Sequence, residues 1–308
     1  MNEAISPTVE FYRYRYLMGA MLRQHLLATV RLWCIPSELG RVEAIGQAWS
    51  AASSRMTQLV QSEAGAADSI VVADPPVTVK GRLEQIASDP LFRASFSALP
   101  ASFKVVEIDR LVAPQREVNL DYVDEITARI PGPGVEDLLE FCVGPRSAPP
   151  EWKVLQTAQN QLLVTSKSID LRFLGGFRKP ITEDDVAVAH TGGQPVEAVT
   201  LLIGYGAASI NVFSVGNRMI LNNGFHRVFA LRSKGITRMP VVVQSVAQSD
   251  IEFPNELLGL SREYLVHNPR PVLLRDFFDD SLTVELRLAP RRKTVKIGWG
   301  GEESVIPV

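Results

Sequence analysis

The stretch RMILNNGFHRVFALRSKGITRMPVVV, residues 218–243, decides how this chain is read. Arg218-Met219-Ile220-Leu221 is an apolar, β-prone run, Asn222-Asn223-Gly224 supplies turn residues, and Phe225 to Lys234 has helical spacing. Gly235 then stops the helix and Met239 to Val243 forms a second apolar run, so the order predicts strand, turn, helix, strand. A strand that delivers Asn223-Gly224-Phe225-His226-Arg227 to the first turn of a helix predicts an anion site. The first-turn N–H groups lack helical acceptors, and the helix dipole is positive there. Gly224 lets a ligand approach the backbone, while His226 and Arg227 add side-chain donors at the same spot; arginine holds phosphate oxygens in a two-pronged fork.

Upstream, Lys104 to Val112 alternates and is β-rich, and Asn119 to Ile130 places Leu120, Val123, Ile126 and Ile130 at helical spacing. Pro131-Gly132-Pro133-Gly134 stops that helix, and the polar, Pro-rich stretch from Gly144 to Pro150 predicts a surface insertion. Strands are expected at Asn160–Val164, Ile169–Leu174, Ala198–Ile203 and Ile210–Val215, with turns at Gly175-Gly176, at Gly192-Gly193 and around Gly204 to Gly206. Downstream, Leu273 to Phe278 reads as a short helix, and Leu282–Leu288 with Thr294–Trp299 as a β-hairpin around Pro290-Arg291. The first hundred residues read as mainly helical. One helix is expected from Phe11 to Trp33, with Met18, Leu22, Leu26, Val30 and Trp33 along one side. A second follows Pro36 with Ser37 as cap and a buried face of Leu39, Val42, Ile45, Trp49, Met56 and Leu59. After a loop at residues 65–76, a short helix spans Lys80 to Ala87, with Pro90 interrupting its continuation.

The central stretch resembles the ParB/sulfiredoxin superfamily, whose members share a strand, a Gly-x-x-Arg or Gly-x-His-Arg turn, a helix, a glycine and a closing apolar strand. It is also similar to the Asp-Gly-Gln-His-Arg motif of a group linked to DNA modification, with Asn223 in the Asp place and Phe225 in the Gln place. A second anchor, Ile108-Asp109-Arg110-Leu111-Val112-Ala113-Pro114-Gln115-Arg116, resembles the first box of ParB-like domains. The resemblance implies a small α/β fold and, joined to the helices and hairpin read from spacing, gives an expected α+β chain in three parts: a helical N-terminal region (1–100), a ParB/sulfiredoxin-like mixed α/β domain (101–250) and a C-terminal extension with a β-hairpin (251–308). It also implies a nucleotide such as ATP or CTP, carried with Mg2+, its phosphates against the Gly-x-x-Arg turn. Gln115, Arg116, Asn223, Gly224, His226 and Arg227 are then the ligand-binding candidates. Glu117 and Asp121, with Asp124 nearby, are the candidate general bases. Two departures count: the sulfiredoxin-like cysteine and the ParB-like glutamate are both replaced by Phe225, which has no nucleophilic or ligating atom. After Val246 the chain carries Pro254, Pro269 and Pro271 where ParB proteins continue into a helix-turn-helix, which disfavours chromosome partition.

For Arg227 and His226 a plainer reading stays open, in which Arg227 pairs to hold the helix and His226 packs or caps. Glu117, Asp121 and Asp124 are equally readable as a solvated helix face. Gly175-Gly176 with Arg178 and Lys179 reads either as a phosphate lid or as a hairpin turn with flanking cations. His25, His190 and His267 form no ligand spacing and are read as non-catalytic.

Composition bounds the partners. In 308 residues, 32 Lys and Arg against 34 Asp and Glu give a formal charge of −2, so no global field draws in a polyanion or an acidic membrane. A nucleic-acid role needs a local patch; Arg13 and Arg15 interleaved with Tyr12, Tyr14 and Tyr16, or Arg291-Arg292-Lys293, are the stretches that offer one, and a solvated arginine face or turn explains each more simply. Cys34 and Cys142 lie far apart, without a CxxC or Cys/His cluster, which points to no disulfide framework or zinc site and to a reducing, cytoplasmic setting. Tyr16 to Leu22 falls far short of the roughly 20 apolar residues of a span, and Trp33-Cys34-Ile35-Pro36 is not a signal-cleavage site. The function expected is nucleotide or phosphate-ligand binding, in one of two forms. One is a phosphotransferase or hydrolase; the other is a non-catalytic sensing or partner-binding module of a DNA-modification or defence system, with the N-terminal helices as a protein interface.

Overall fold

The computed structural model describes residues 10–145, 148–168, 170–189, 193–247 and 260–306. Helices and several sheets occur together, so the chain is α+β. It divides into two compact units, residues 1–145 with 207–290, and residues 146–206 with 291–308. These units cut across the three consecutive regions expected from sequence, because the N-terminal helices share one unit with the central strands. Expected features at His190, Gly192 and Pro254, and the start of the Ile169 strand, lie outside the described residues.

The first unit is built on a five-stranded sheet of order β10-β9-β11-β3-β2: Arg218–Asn223, Asn211–Val215, Arg238–Ser245, Ala101–Glu107 and Val72–Ala73. β11 runs parallel to β9 and antiparallel to β3, whereas β10, the strand that leads into α8, is antiparallel to β9 and so runs opposite to β11. One face is covered by α5 (Leu120–Thr127), α6 (Val135–Val143) and α8 (Phe225–Ser233), which bury Val123, Ile126, Leu138, Val228 and Leu231 with Val212 and Val241. On the other face Val112, Val215, Ile220, Leu265 and Leu273 gather in a smaller cluster.

A second sheet of order β12-β1-β4 joins Thr283–Leu288, Tyr12–Leu17 and Glu117–Asn119. It corrects the helix expected from Phe11: the helix α1 begins only at Arg23 and ends at Trp33. Tyr12, Tyr14 and Tyr16 alternate with Arg13 and Arg15, a two-residue period that sends Tyr14 and Tyr16 into a core with Leu26, Val30, Ile45 and Leu286. The arginines face outward and pair with acids, Arg15 with Glu285 and Arg13 with Asp121 and Asp124. These tyrosines are therefore core, not a stacking platform. The 21-residue α2 (Val42–Ser62) buries Ile45, Met56 and Leu59 as expected, but Leu39 lies in the 3-10 turn before it (Pro36–Arg41) and is exposed.

Other differences have local causes. Pro90 starts a helix, α4 (Pro90–Phe96), after α3 (Lys80–Ser88): proline suits a first turn, and the Asp89 carboxylate caps the N–H groups of Leu91 and Phe92. α6 was not legible behind its Pro-Gly leader. The two C-terminal strands do not form a hairpin: β12 pairs with β1, whereas β13 (Lys293–Gly298) pairs with β6 (Gln161–Ser166) in the second unit. That unit holds the sheet β13-β6-β5, with β5 at Trp152–Ala158, a two-stranded ribbon of β7 (Leu171–Pro180) and β8 (Glu197–Tyr205), and α7 (Glu183–Ala189). Gly175-Gly176 is not a turn or a lid. It lies inside β7 at a register shift opposite Leu202 and Leu201, with Gly175 at φ +111°, a bulge that glycine accommodates without steric cost.

Candidate functional site

The two sequence anchors meet in space. The Val112 N–H donates to the Met219 carbonyl and its carbonyl accepts from the Leu221 N–H, both at 2.9 Å, so the first anchor lies along β10, the strand that leads into the Gly224 turn. Asp109 of the same anchor forms an ion pair with Arg232 near the end of α8. From Arg116 the chain continues into β4, and the backbone N–H of Asn119 at its end donates to His226 Nε2 at 3.2 Å.

Gly224 precedes α8 with φ +93° and no side-chain cap. The backbone N–H groups of Phe225 and His226 reach no acceptor among the described residues, which leaves two first-turn donors unsatisfied. A Cβ at position 224 would lie 2.8 Å from Ile210 Cγ1 and 3.2 Å from a terminal nitrogen of Arg227. The guanidinium is thus folded back over the glycine, its charge beside the positive end of the helix, and the positive φ together with the close approach of Ile210 is what calls for glycine here. Arg227 also donates to the Phe141 carbonyl at 3.2 Å, which ties the turn to the end of α6. Asn223 holds the preceding loop, its side-chain amide donating to the Ala207 and Ser209 carbonyls at 2.7 and 2.9 Å.

His226 is 9% exposed, lies edge-on to Tyr122 and Phe225, and accepts a hydrogen bond at Nε2, which places its proton on Nδ1. Burial pushes its pKa down from the ordinary 6.5 to about 4, so the ring is neutral at physiological pH. Burial also pushes the Cys142 thiol up to about 12 against the opposing pull of Arg227, so the sulfur nearest this turn is not a thiolate nucleophile.

The candidate bases sit differently from the candidate ligand residues. Asp121 accepts from the Arg13 backbone N–H at 2.6 Å and from Arg13 Nε at 2.8 Å, and Asp124 accepts from a terminal nitrogen of Arg13 at 2.6 Å. Both carboxylates are thereby turned to β1, where Arg13 straps the start of α5. Glu117 lies half-buried in β4 opposite Tyr16. Gln115 and Arg116 are half-buried as well, and their side chains make no hydrogen bond or ion pair among the described residues. From sequence Arg13 is legible only as part of an arginine–tyrosine alternation; its pairing with Asp121 and Asp124 is not, because they lie more than a hundred positions away.

These groups fit a phosphate: two N–H donors and the Arg227 guanidinium at one helix end, with the half-buried Arg116 leading into the neighbouring strand. They do not fit a protein-held cation. No group of three or more His, Cys, Asp or Glu side chains able to hold a metal gathers among the described residues, and two of the three candidate carboxylates, Asp121 and Asp124, are committed to Arg13. Comparison with family models, with curated proteins and with solved structures finds no match to this chain.

Proposed function

We propose that this protein binds a phosphate-bearing small ligand at the Gly224 turn, a nucleoside triphosphate in the ParB/sulfiredoxin-like reading, and that it does so as a non-catalytic sensing or partner-binding module. The observation that carries the reading is the uncapped start of α8, where the Arg227 guanidinium lies over Gly224 beside the unsatisfied N–H groups of Phe225 and His226. The two free cysteines suit the reducing, cytoplasmic setting in which such nucleotides are abundant. In binding, the backbone donors and Arg227 share the phosphate oxygens. Mg2+, brought in on the phosphates, would neutralise their charge, and no step is assigned to it.

A phosphotransferase or hydrolase is the second reading. It requires a base, and Asp121 and Asp124 accept from Arg13 instead, while neutral His226 already uses Nε2. Glu117 is the remaining acid of the three.

Thermal-shift measurements with ATP, CTP, GTP, UTP and inorganic phosphate, with and without magnesium, test the site in wild type, Arg227→Ala and Arg116→Gln. A triphosphate is expected to raise the melting temperature of the wild type, with the rise lost in Arg227→Ala and reduced in Arg116→Gln. Because Arg227 also holds the Phe141 carbonyl, the Arg116 variant separates loss of ligand from loss of fold. No shift with any nucleotide or phosphate overturns the binding reading; steady phosphate release from a stabilising nucleotide overturns the non-catalytic one.

A further inference from the structure

The β7–β8 ribbon is short of cover. A two-stranded ribbon alone is marginal in water, and this one exposes large apolar side chains on both faces. Phe173, Val199 and Leu201 are 51%, 69% and 41% exposed on one face, and Leu174, Phe177 and Leu202 are 49%, 48% and 45% exposed on the other. β7 is the strand that runs near β13, and the Tyr205 hydroxyl at the end of β8 anchors the base of the ribbon to Ser166 at 3.1 Å. No described strand pairs with the far edge of β8.

The two edges differ in chemistry. β7 carries Arg172, Arg178, Lys179, Pro180 and the Gly175 bulge, the devices by which proteins keep an edge strand from pairing. β8 reads Glu-Ala-Val-Thr-Leu-Leu-Ile-Gly-Tyr over residues 197–205 and has none of them. Its single charge, Glu197, already faces Arg178 at 3.6 Å.

The same contrast selects the occupant. Two β7 strands paired antiparallel about Gly175-Gly176 would set Arg172 against Lys179 of the second copy, like charges directly opposed. Two β8 strands paired about Leu201 set Leu201 against itself, Val199 against Ile203, Thr200 against Leu202 and Glu197 against Tyr205. That pairing is self-complementary, opposes no like charges and uses all nine residues of the strand. We propose that a second copy of this chain adds to the β8 edge in antiparallel register about Leu201, making a four-stranded β7-β8-β8-β7 sheet and a twofold dimer. The added strand satisfies the edge backbone groups and sets Val199 beside Ile203, and Leu201 beside Leu201, of the second copy, lateral contacts that shield these side chains in part.

The test is the mass of the full chain in solution, followed by light scattering and sedimentation over a dilution series. Wild type is expected at twice the chain mass of 33.9 kDa. Leu201→Lys and Val199→Lys should each weaken the dimer by at least about tenfold while leaving the circular dichroism melt intact. In a Cys34→Ser background, Leu201→Cys should cross-link two chains on mild oxidation, because a twofold about Leu201 brings the two thiols within disulfide reach, whereas Val199→Cys should cross-link only when Ile203→Cys is added. A monomer at every concentration overturns the proposal, as does a dimer indifferent to both lysine variants. A monomer that floats with lipid vesicles, and loses this with Leu201→Lys, would assign the ribbon to a lipid surface and overturn it equally.

Discussion

At the scale of single residues, His226 shows how one side chain answers two demands. Its ring closes the contact between α8 and the end of β4, and burial keeps that ring neutral down to about pH 4. The unfolded chain takes up a proton near 6.5, so between those values it binds a proton that the folded state refuses. Stability is therefore full above about 6.5 and falls as pH drops toward about 4, by an amount on the order of 3 kcal/mol. Urea midpoints at neutral pH and midway through that window should diverge for wild type. They should converge in His226→Gln, which keeps an acceptor for Asn119 but does not titrate; parallel behaviour of the two proteins would remove this role. The sequence placed His226 at a helix start correctly but left open whether it packs or binds. The answer depends on Asn119, 107 positions away, whose N–H claims Nε2.

At the scale of elements, the connection between the end of α2 and the C-terminal 3-10 helix at Leu274–Phe278 rests on a buried charge network. Arg270 is 1% exposed and binds Asp276 through two terminal nitrogens, with Glu63 accepting from its Nε and NH2 at 3.1 and 2.9 Å. Asp276 also accepts from the Leu273 N–H at 2.8 Å. Removing the acid leaves a buried guanidinium with one partial partner, so Asp276→Ala should cost about 3–5 kcal/mol. Equilibrium unfolding measures it; a loss below about 1 kcal/mol would mean that the pair is worth no more than a surface bridge. None of this network was legible: Glu63, Arg270 and Asp276 look like ordinary surface residues in sequence, and only the return of the chain brings them together. The same holds for Arg13, whose strap on α5 takes Asp121 and Asp124 away from the chemistry that their position in the chain suggested.

At the scale of the whole molecule, the second unit interrupts the first. The chain leaves the first unit after Pro145 and returns at Ala207, and the two ends lie side by side. The Ile210 N–H donates to the Cys142 carbonyl at 2.7 Å, and the Ser209 hydroxyl donates to the Val143 carbonyl at 2.9 Å. Ends this close allow an insertion to be removed with little loop-closure cost. Replacing residues 146–206 by a short Gly-Ser linker and ending the chain at 290 should leave a cooperatively melting first unit, as followed by circular dichroism; a broad, non-cooperative melt would show that the first unit does not fold without the second.

What the sequence determined by itself is what local physics determines. The β10–turn–α8–β11 order, the helix stop at Gly235 and the apolar faces of α2 and α5 all follow from spacing and backbone preference over a few residues. Tertiary structure alone decided the partners of strands. β12 and β13 are neighbours in sequence yet join different sheets, and β1 is a strand because β12 and β4 flank it. Pairing of this kind depends on which apolar faces meet after the chain has returned over hundreds of residues, and a short window of sequence carries no record of that meeting.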